Sequence, residues 1–272
     1  MVKLDLSVPC TIDVWPYSHT SMEAGKQLDY YGTDSVELFE RNKKQKREWI
    51  YNTKPVTYNF NSNGLRMKEL DKVDDNYILF SGASVAMGIG VSQEDRYSDL
   101  ISNQSNLDFI NYAGPTYTIR MQTISFMNLL KSNFKLPKVL VVEYPPCEAY
   151  TYYTNNQYIF CYNKHMPTES NEYATAYKHL STTDFFLNEA SIHRNMLIGI
   201  CKRLGIKFIE LSFHKDDQFI INSEISCIDI NSNNTDINYC YARDLRLQNG
   251  ALTAHPGIGI HREVTDKILS IL

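Results

Sequence analysis

The segment Ser81-Gly82-Ala83-Ser84-Val85-Ala86-Met87-Gly88-Ile89-Gly90 sets a serine among three glycines. Where such a run ends a strand and opens a helix, the backbone bends sharply, turns N–H groups inward and exposes a hydroxyl. That is the place of a nucleophile, and Ser84 is the candidate; the plainer alternative is a glycine turn with an incidental serine. A second segment, Ala251-Leu252-Thr253-Ala254-His255-Pro256-Gly257-Ile258-Gly259-Ile260-His261, lies near the C-terminus. The stiff His255-Pro256-Gly257 loop leaves a ring free to reach a cleft, as a general base within about 3 Å of its nucleophile must. Taken alone, His255 also reads as an ordinary loop histidine. The glycine run has neither the G-x-x-x-x-G-K-[ST] nor the G-x-G-x-x-G order, which argues against a nucleotide-binding loop.

These residues need elements to bring them together. The apolar run Tyr77-Ile78-Leu79-Phe80 ends at Ser81-Gly82, the pattern of a buried parallel strand stopped by a turn. A helix is expected over Glu94 to Asn103, a strand over Leu107 to Tyr112, a helix over Ile119 to Leu130 and a buried strand over Lys138 to Glu143. After a Tyr-rich insertion at about 147–183 come a helix over Glu189 to Leu204, a strand over Ile206 to Leu211 and a last helix over Gly259 to Leu272. Strands alternating with helices imply an α/β fold, a parallel sheet covered on both faces, because parallel strands need crossover connections. Ligands of such sheets bind beyond the carboxyl ends of the strands. The site is therefore expected in the loops after Phe80, Tyr112, Glu143 and Leu211 and in the segment entering the last helix.

Residues 1–70 read as an irregular extension packing on a main domain of 71–272, since no linker or repeat divides the chain. Within them the run Glu40-Arg41-Asn42-Lys43-Lys44-Gln45-Lys46-Arg47-Glu48 reads as a solvated helix face rather than a patch for an acidic partner, because acids bracket the bases. At 272 residues, with 43% apolar and 21% charged, the chain can close a core without staples. A formal charge of -4 gives no global attraction for nucleic acid. No apolar run approaches the roughly 20 residues of a membrane span, and the Met1-Val2-Lys3-Leu4-Asp5 start lacks a signal pattern, so a cytoplasmic or otherwise intracellular location is expected. Six scattered cysteines without C-x-x-C or zinc spacing indicate no metal site.

Gly82-Ala83-Ser84-Val85-Ala86-Met87-Gly88 resembles the G-D-S-x-x-x-G block, and Leu252-Thr253-Ala254-His255-Pro256 the D-x-x-H-P block, of the SGNH, or GDSL-like, hydrolase superfamily. Asn61-Ser62-Asn63-Gly64-Leu65-Arg66 is similar to a lead-in found before the first strand in some members. The resemblance spans about Tyr58 to Leu272 with the Tyr-rich middle unmatched. It implies a flavodoxin-like three-layer α/β/α sandwich with a parallel sheet, and serine ester hydrolysis of acyl groups, often on carbohydrates or lipids, with no metal or organic cofactor. It also implies Ser84 as nucleophile and first oxyanion donor and His255 as general base. In Asn111-Tyr112-Ala113-Gly114-Pro115-Thr116, a second backbone donor falls on Gly114, or on Thr116 by strict spacing.

Three positions depart from the family pattern. Ala83 replaces the aspartate beside the nucleophile. Leu252 stands where the triad acid belongs, and Asp244, in Tyr241-Ala242-Arg243-Asp244, substitutes for it if an insertion separates it from His255; it reads equally as a surface residue. After the strand over Val139 to Val142, where the family supplies an asparagine oxyanion donor, the chain has Glu143-Tyr144-Pro145-Pro146-Cys147. Glu143 could bind substrate, orient His255, pair with a buried cation or lie exposed. Two functions follow. One is an O-acyl ester hydrolase, acetyl esters included, acting on small-molecule or carbohydrate acyl esters; the other is a catalytically weakened SGNH-like binding or structural module that recognises carbohydrate through the tyrosines.

Overall fold

The computed structural model of the chain describes residues 20–45, 48–145, 150–154, 157–161, 183–213, 236–248 and 251–272. In chain order the strands are β1 (Gln27–Leu28), β2 (Tyr58–Asn59), β3 (Tyr77–Gly82), β4 (Asp108–Ala113), β5 (Val139–Tyr144), β6 (Tyr150–Thr154), β7 (Gln157–Cys161), β8 (Lys207–Ser212), β9 (Arg246–Gln248) and β10 (Ala251–Thr253). The helices are α1 (Val36–Gln45), α2 (Ser84–Met87), α3 (Tyr97–Gln104), α4 (Ile119–Lys131), α5 (Thr183–Leu204), α6 (Ile237–Cys240) and α7 (Ile258–Leu269).

The central sheet is parallel, with strand order β4-β3-β5-β8. Every residue of β3 and β5 is buried, which is why both read as unbroken apolar runs and not as alternation. From β3 to β4 the chain steps one way across the sheet, and from β4 to β5 and β5 to β8 it steps the other. Right-handed crossovers therefore place α3 on one face and α4 and α5 on the other. The packing agrees, with α3 against α7 and α4 against α5. The result is a three-layer α/β sandwich. On the α3 face Phe80 meets the Tyr97 ring edge-on at 5.7 Å, and Tyr97 stacks on His261 at 5.5 Å.

The strand-order switch lies between β3 and β5, so the loop after β3 opens onto the crevice where such sheets bind ligands. Long apolar runs and the Ile119 helix fall within a residue or two of expectation. Helix α5 starts six residues before Glu189, with Asp184 in its first turn, where a carboxylate favours the helix dipole. The expected insertion contains the hairpin β6–β7; residues 162–182 lie outside the described residues.

Of the expected extension 1–70, residues 1–19 and 46–47 lie outside the described residues, and the rest is more ordered than its sequence suggests. β1 and β2 pair antiparallel, and α1 carries the Glu40–Gln45 part of the charged run. That helix is not purely a solvated face: Arg41 and the buried Asn42 both donate to the Leu245 carbonyl, at 2.8 and 2.6 Å. No helix among the described residues is long and apolar enough to cross a membrane.

Candidate functional site

Strand β3 delivers its last residue, Gly82, beneath the serine turn. A Cβ there would stand 2.5 Å from both the Ala86 Cβ and the Glu143 Oε2, so only glycine lets the turn close. Ala83 precedes the helix with φ -94° and ψ -146°, Ser84 opens the one-turn helix α2, and Gly88 ends it with φ 79°. The Gly88 N–H donates to the Ser84 and Val85 carbonyls at 3.1 and 2.9 Å. This left-handed cap is available to glycine at little cost.

Arg66 holds the far end of the turn. Its buried guanidinium donates to the carbonyls of Met87, Gly88 and Val91 at 3.2, 2.5 and 2.8 Å, and to Thr57 at 2.7 Å. Burial and the Arg96 charge push it down to about 10, still cationic at neutral pH. The Asn61 side chain, accepting from the Asn63 and Leu65 N–H groups at 3.0 and 2.9 Å, shapes the bend that aims Arg66 inward. The Asn61–Arg66 lead-in thus has a physical task in positioning the serine turn.

Asp244 and His255 come from the two ends of an antiparallel hairpin. Between them β9 and β10 pair, with Leu247 opposite Leu252, and the Ala242 N–H donates to the His255 carbonyl at 2.9 Å. This hairpin is the insertion that separates acid from base. Leu252, at the expected acid position, is exposed on the hairpin, while Asp244 is fully buried.

The structure brings Ser84, His255 and Asp244 together. His255 Nε2 lies 2.8 Å from Ser84 Oγ, and His255 Nδ1 lies 2.7 Å from Asp244 Oδ2. The His255 backbone N–H donates to Asp244 Oδ1 at 3.0 Å, and the Thr33 hydroxyl donates to Oδ2 at 2.7 Å. A carboxylate only accepts, so Nδ1 must carry the proton, and Nε2 is left as an acceptor facing the serine hydroxyl. Burial alone would raise the Asp244 carboxyl. The His255 charge, its ring and backbone hydrogen bonds and the Thr33 hydroxyl outweigh burial and hold it below the usual aspartate value.

The donors around Ser84 differ from those the sequence implies. Gly114, expected to face an oxyanion, donates its N–H to the Gly82 carbonyl at 3.3 Å, continuing the parallel pairing past β4. Thr116 follows Pro115 in a turn closed by the Tyr117 N–H on the Gly114 carbonyl at 3.2 Å; it is exposed and has φ 65°. The Ser84 and Val85 N–H groups, in the first turn of α2, make no hydrogen bond among the described residues.

Glu143, expected as a substrate contact or an exposed acid, is buried beneath the serine turn. It is 1% exposed, and its Oε2 accepts from the Ala83 and Ala86 N–H groups at 2.6 and 3.2 Å. A carboxylate thus binds the serine turn from below, on the strand end where sequence reading expected a substrate contact. That strand is buried on both sides, so no alternation marked which way Glu143 faces.

Sequence reading also missed Thr33, Asp34 and Arg243 as neighbours of the site. Asp34 ion-pairs with Arg243 at 2.7 Å and accepts from the Tyr58 hydroxyl at 2.5 Å, and the Gly90 N–H donates to that hydroxyl at 2.8 Å. The only local signal was the arginine immediately before Asp244. Among the described residues no group of three or more His, Cys, Asp or Glu side chains could hold a metal ion.

No family model matches this chain, and no curated protein does. Solved structures of similar shape include two G-D-S-L family proteins. One, from Desulfitobacterium hafniense DCB-2, is 11% identical with TM-score 0.42 over 72% of this chain and 100% of its own. The other, a lipolytic protein from Veillonella parvula DSM 2008, is 11% identical with TM-score 0.41 over 72% of this chain and 97% of its own. A carbohydrate esterase described as having divergent catalytic and non-catalytic binding functions is 12% identical, with TM-score 0.42 over 74% of this chain and 69% of its own. Likenesses this slight carry no argument about the site. The chain's own strand order and side chains define an α/β sandwich with a serine, a histidine and an aspartate in hydrogen-bond contact at the carboxyl edge of the sheet.

Proposed function

We propose that this chain is an SGNH-like serine hydrolase that cleaves an O-acyl ester, acetyl being the smallest case, through an acyl-enzyme intermediate. The supporting observation is the unbroken relay Ser84 Oγ, His255 Nε2, His255 Nδ1, Asp244 Oδ2, with contacts of 2.8 and 2.7 Å. Ser84 Oγ attacks the acyl carbon while His255 Nε2 takes its proton. Asp244 keeps the ring in the productive tautomer and stabilises the imidazolium. The tetrahedral intermediate then collapses, the carbon–alkoxide bond breaks, and His255 returns the proton to the departing alcohol. Water attacks the acyl-Ser84 ester with His255 again as base, and the freed acid leaves Ser84 restored.

The developing oxyanion faces the N–H of Ser84, with the first turn of α2 behind it. The chain has Pro145 where the family pattern has an amide donor, and each missing donor costs about 10² to 10³ in rate. A slow esterase is expected. That same proline favours the second reading, a weakened module that binds without turnover.

Release of p-nitrophenol from p-nitrophenyl acetate separates the two. The hydrolase reading requires measurable turnover by the native chain and its loss in Ser84→Ala and His255→Ala. Equal rates for all three support the binding module instead.

A further inference from the structure

Thr33 sits on a tight turn closed by two hydrogen bonds between Tyr31 and Asp34, at 3.0 and 3.1 Å. Its hydroxyl is 2.7 Å from Asp244 Oδ2 and 3.5 Å from His255 Nδ1. The next residue, Asp34, takes the Arg243 guanidinium at 2.7 Å. Consecutive residues 33 and 34 of one segment thus engage consecutive residues 244 and 243 of another, more than 200 positions away. Tyr30 and Phe39 lie under the Arg243 guanidinium, at 4.6 and 5.4 Å, and complete the clasp.

Asp34 and Arg243 are buried, and their pairing follows from the cost of burying either charge alone. Thr33 differs, because the residue is exposed and solvent could serve its hydroxyl. Its hydrogen bond to Asp244 is therefore not forced by burial. Asp244 Oδ2 receives two donors, the Thr33 hydroxyl and the His255 ring, on the atom that governs the histidine.

We infer that Thr33 is a positioning residue of the Asp244–His255 pair, its hydroxyl fixing the carboxylate and moderating the pull of Oδ2 on the imidazole. This rests on the hydrolase reading above. A carboxylate that loses a donor becomes more basic, holds the Nδ1 proton harder and raises the proton affinity of Nε2. The protonated ring cannot accept the serine proton, so reaction at neutral pH suffers. Other ionisable groups act in the same region: Tyr51 senses Asp244 together with Asp95, Asp34 and Arg243, and His261 senses His255. Helix α2 brings no titratable side chain. Those groups are common to every variant below, so a change in His255 titration is attributable to the hydroxyl.

The test titrates the His255 ring by nuclear magnetic resonance in the full chain and in Thr33→Val and Thr33→Ser, with p-nitrophenyl acetate pH–rate profiles beside it. Thr33→Val should move the His255 titration to higher pH. The acid limb of kcat should move by the same amount, with kcat on that limb reduced in proportion and KM unchanged. Thr33→Ser should restore both. An unmoved His255 titration in folded Thr33→Val, or a serine variant that behaves like valine, overturns the inference. The titration needs no substrate, so a chain inert toward esters would sink the hydrolase reading while the ring still decides the Thr33 link.

Discussion

Glu143 and Ala83 are joined by a 2.6 Å hydrogen bond from a backbone N–H to a buried carboxylate, directly beneath the candidate nucleophile. The sequence pattern that this turn resembles has an aspartate where Ala83 stands, and here a carboxylate reaches the same turn from the end of β5. Glu143→Ala leaves two buried N–H groups without their acceptor, each costing about 1–3 kcal/mol. Urea unfolding should show a loss of that order, with esterase activity falling alongside it. Glu143→Gln, which retains one acceptor oxygen, should lose less of both. An alanine variant as stable and active as the native chain would contradict this role.

Asp244→Asn should separate orientation from packing. The amide is nearly the same size, but it presents an N–H₂ group that cannot accept the Nδ1 proton, so the ring adopts the wrong tautomer toward Ser84. A fall in kcat on the order of 10³ to 10⁴ is expected, with KM little changed. A fall of less than tenfold would show that another group orients His255.

Two other histidines give stability its pH dependence. Burial, with smaller effects from Arg96, His255 and Arg66, pushes His261 down to about 3; burial and Arg120 push His193 down to about 4. Both stay neutral in the fold but bind a proton once unfolded, so the unfolded chain holds more protons from about pH 6.5 down to those values. Their stabilisation is complete above about pH 6.5 and is lost as pH falls. Urea midpoints at pH 7 and pH 5 should show that decline, and His261→Asn should flatten it. Asparagine keeps an acceptor for the Tyr97 N–H, which now donates to His261 Nδ1 at 3.3 Å. An unchanged pH slope would contradict the assignment.

Thr116 is the one described residue other than glycine with positive φ, at 65°. A β-branched side chain there is strained by about 1–2 kcal/mol, more than the unfolded-state cost of a glycine. Thr116→Gly should therefore stabilise the chain by roughly 0.5–1 kcal/mol in thermal unfolding, while Thr116→Val should not. A glycine variant that melts lower would show that the threonine side chain has compensating contacts.

The parts of this fold legible in the sequence were those with their own local periodicity. Strands β3 and β5 announced themselves because both faces are covered, and α4 because its apolar stripe repeats at helical spacing. Ser84 and His255 were legible because their glycine and proline neighbours fix unusual backbone. Asp244 was harder to find: the β9–β10 hairpin breaks the short spacing that would tie an acid to its histidine. Glu143 was visible as a strand-end acid, but its direction depends on α2 lying above it. Thr33 left no local trace, because its meaning arises from a turn meeting a loop 211 positions away.

The relay from Asp244 through His255 to Ser84 is the central claim, and reaction with a fluorophosphonate probe followed by peptide mapping tests it most directly. The account predicts one modified serine, Ser84, in the native chain, and no labelling in Ser84→Ala or His255→Ala. A label on another serine, or equal labelling of Ser84 after His255 is removed, would contradict it.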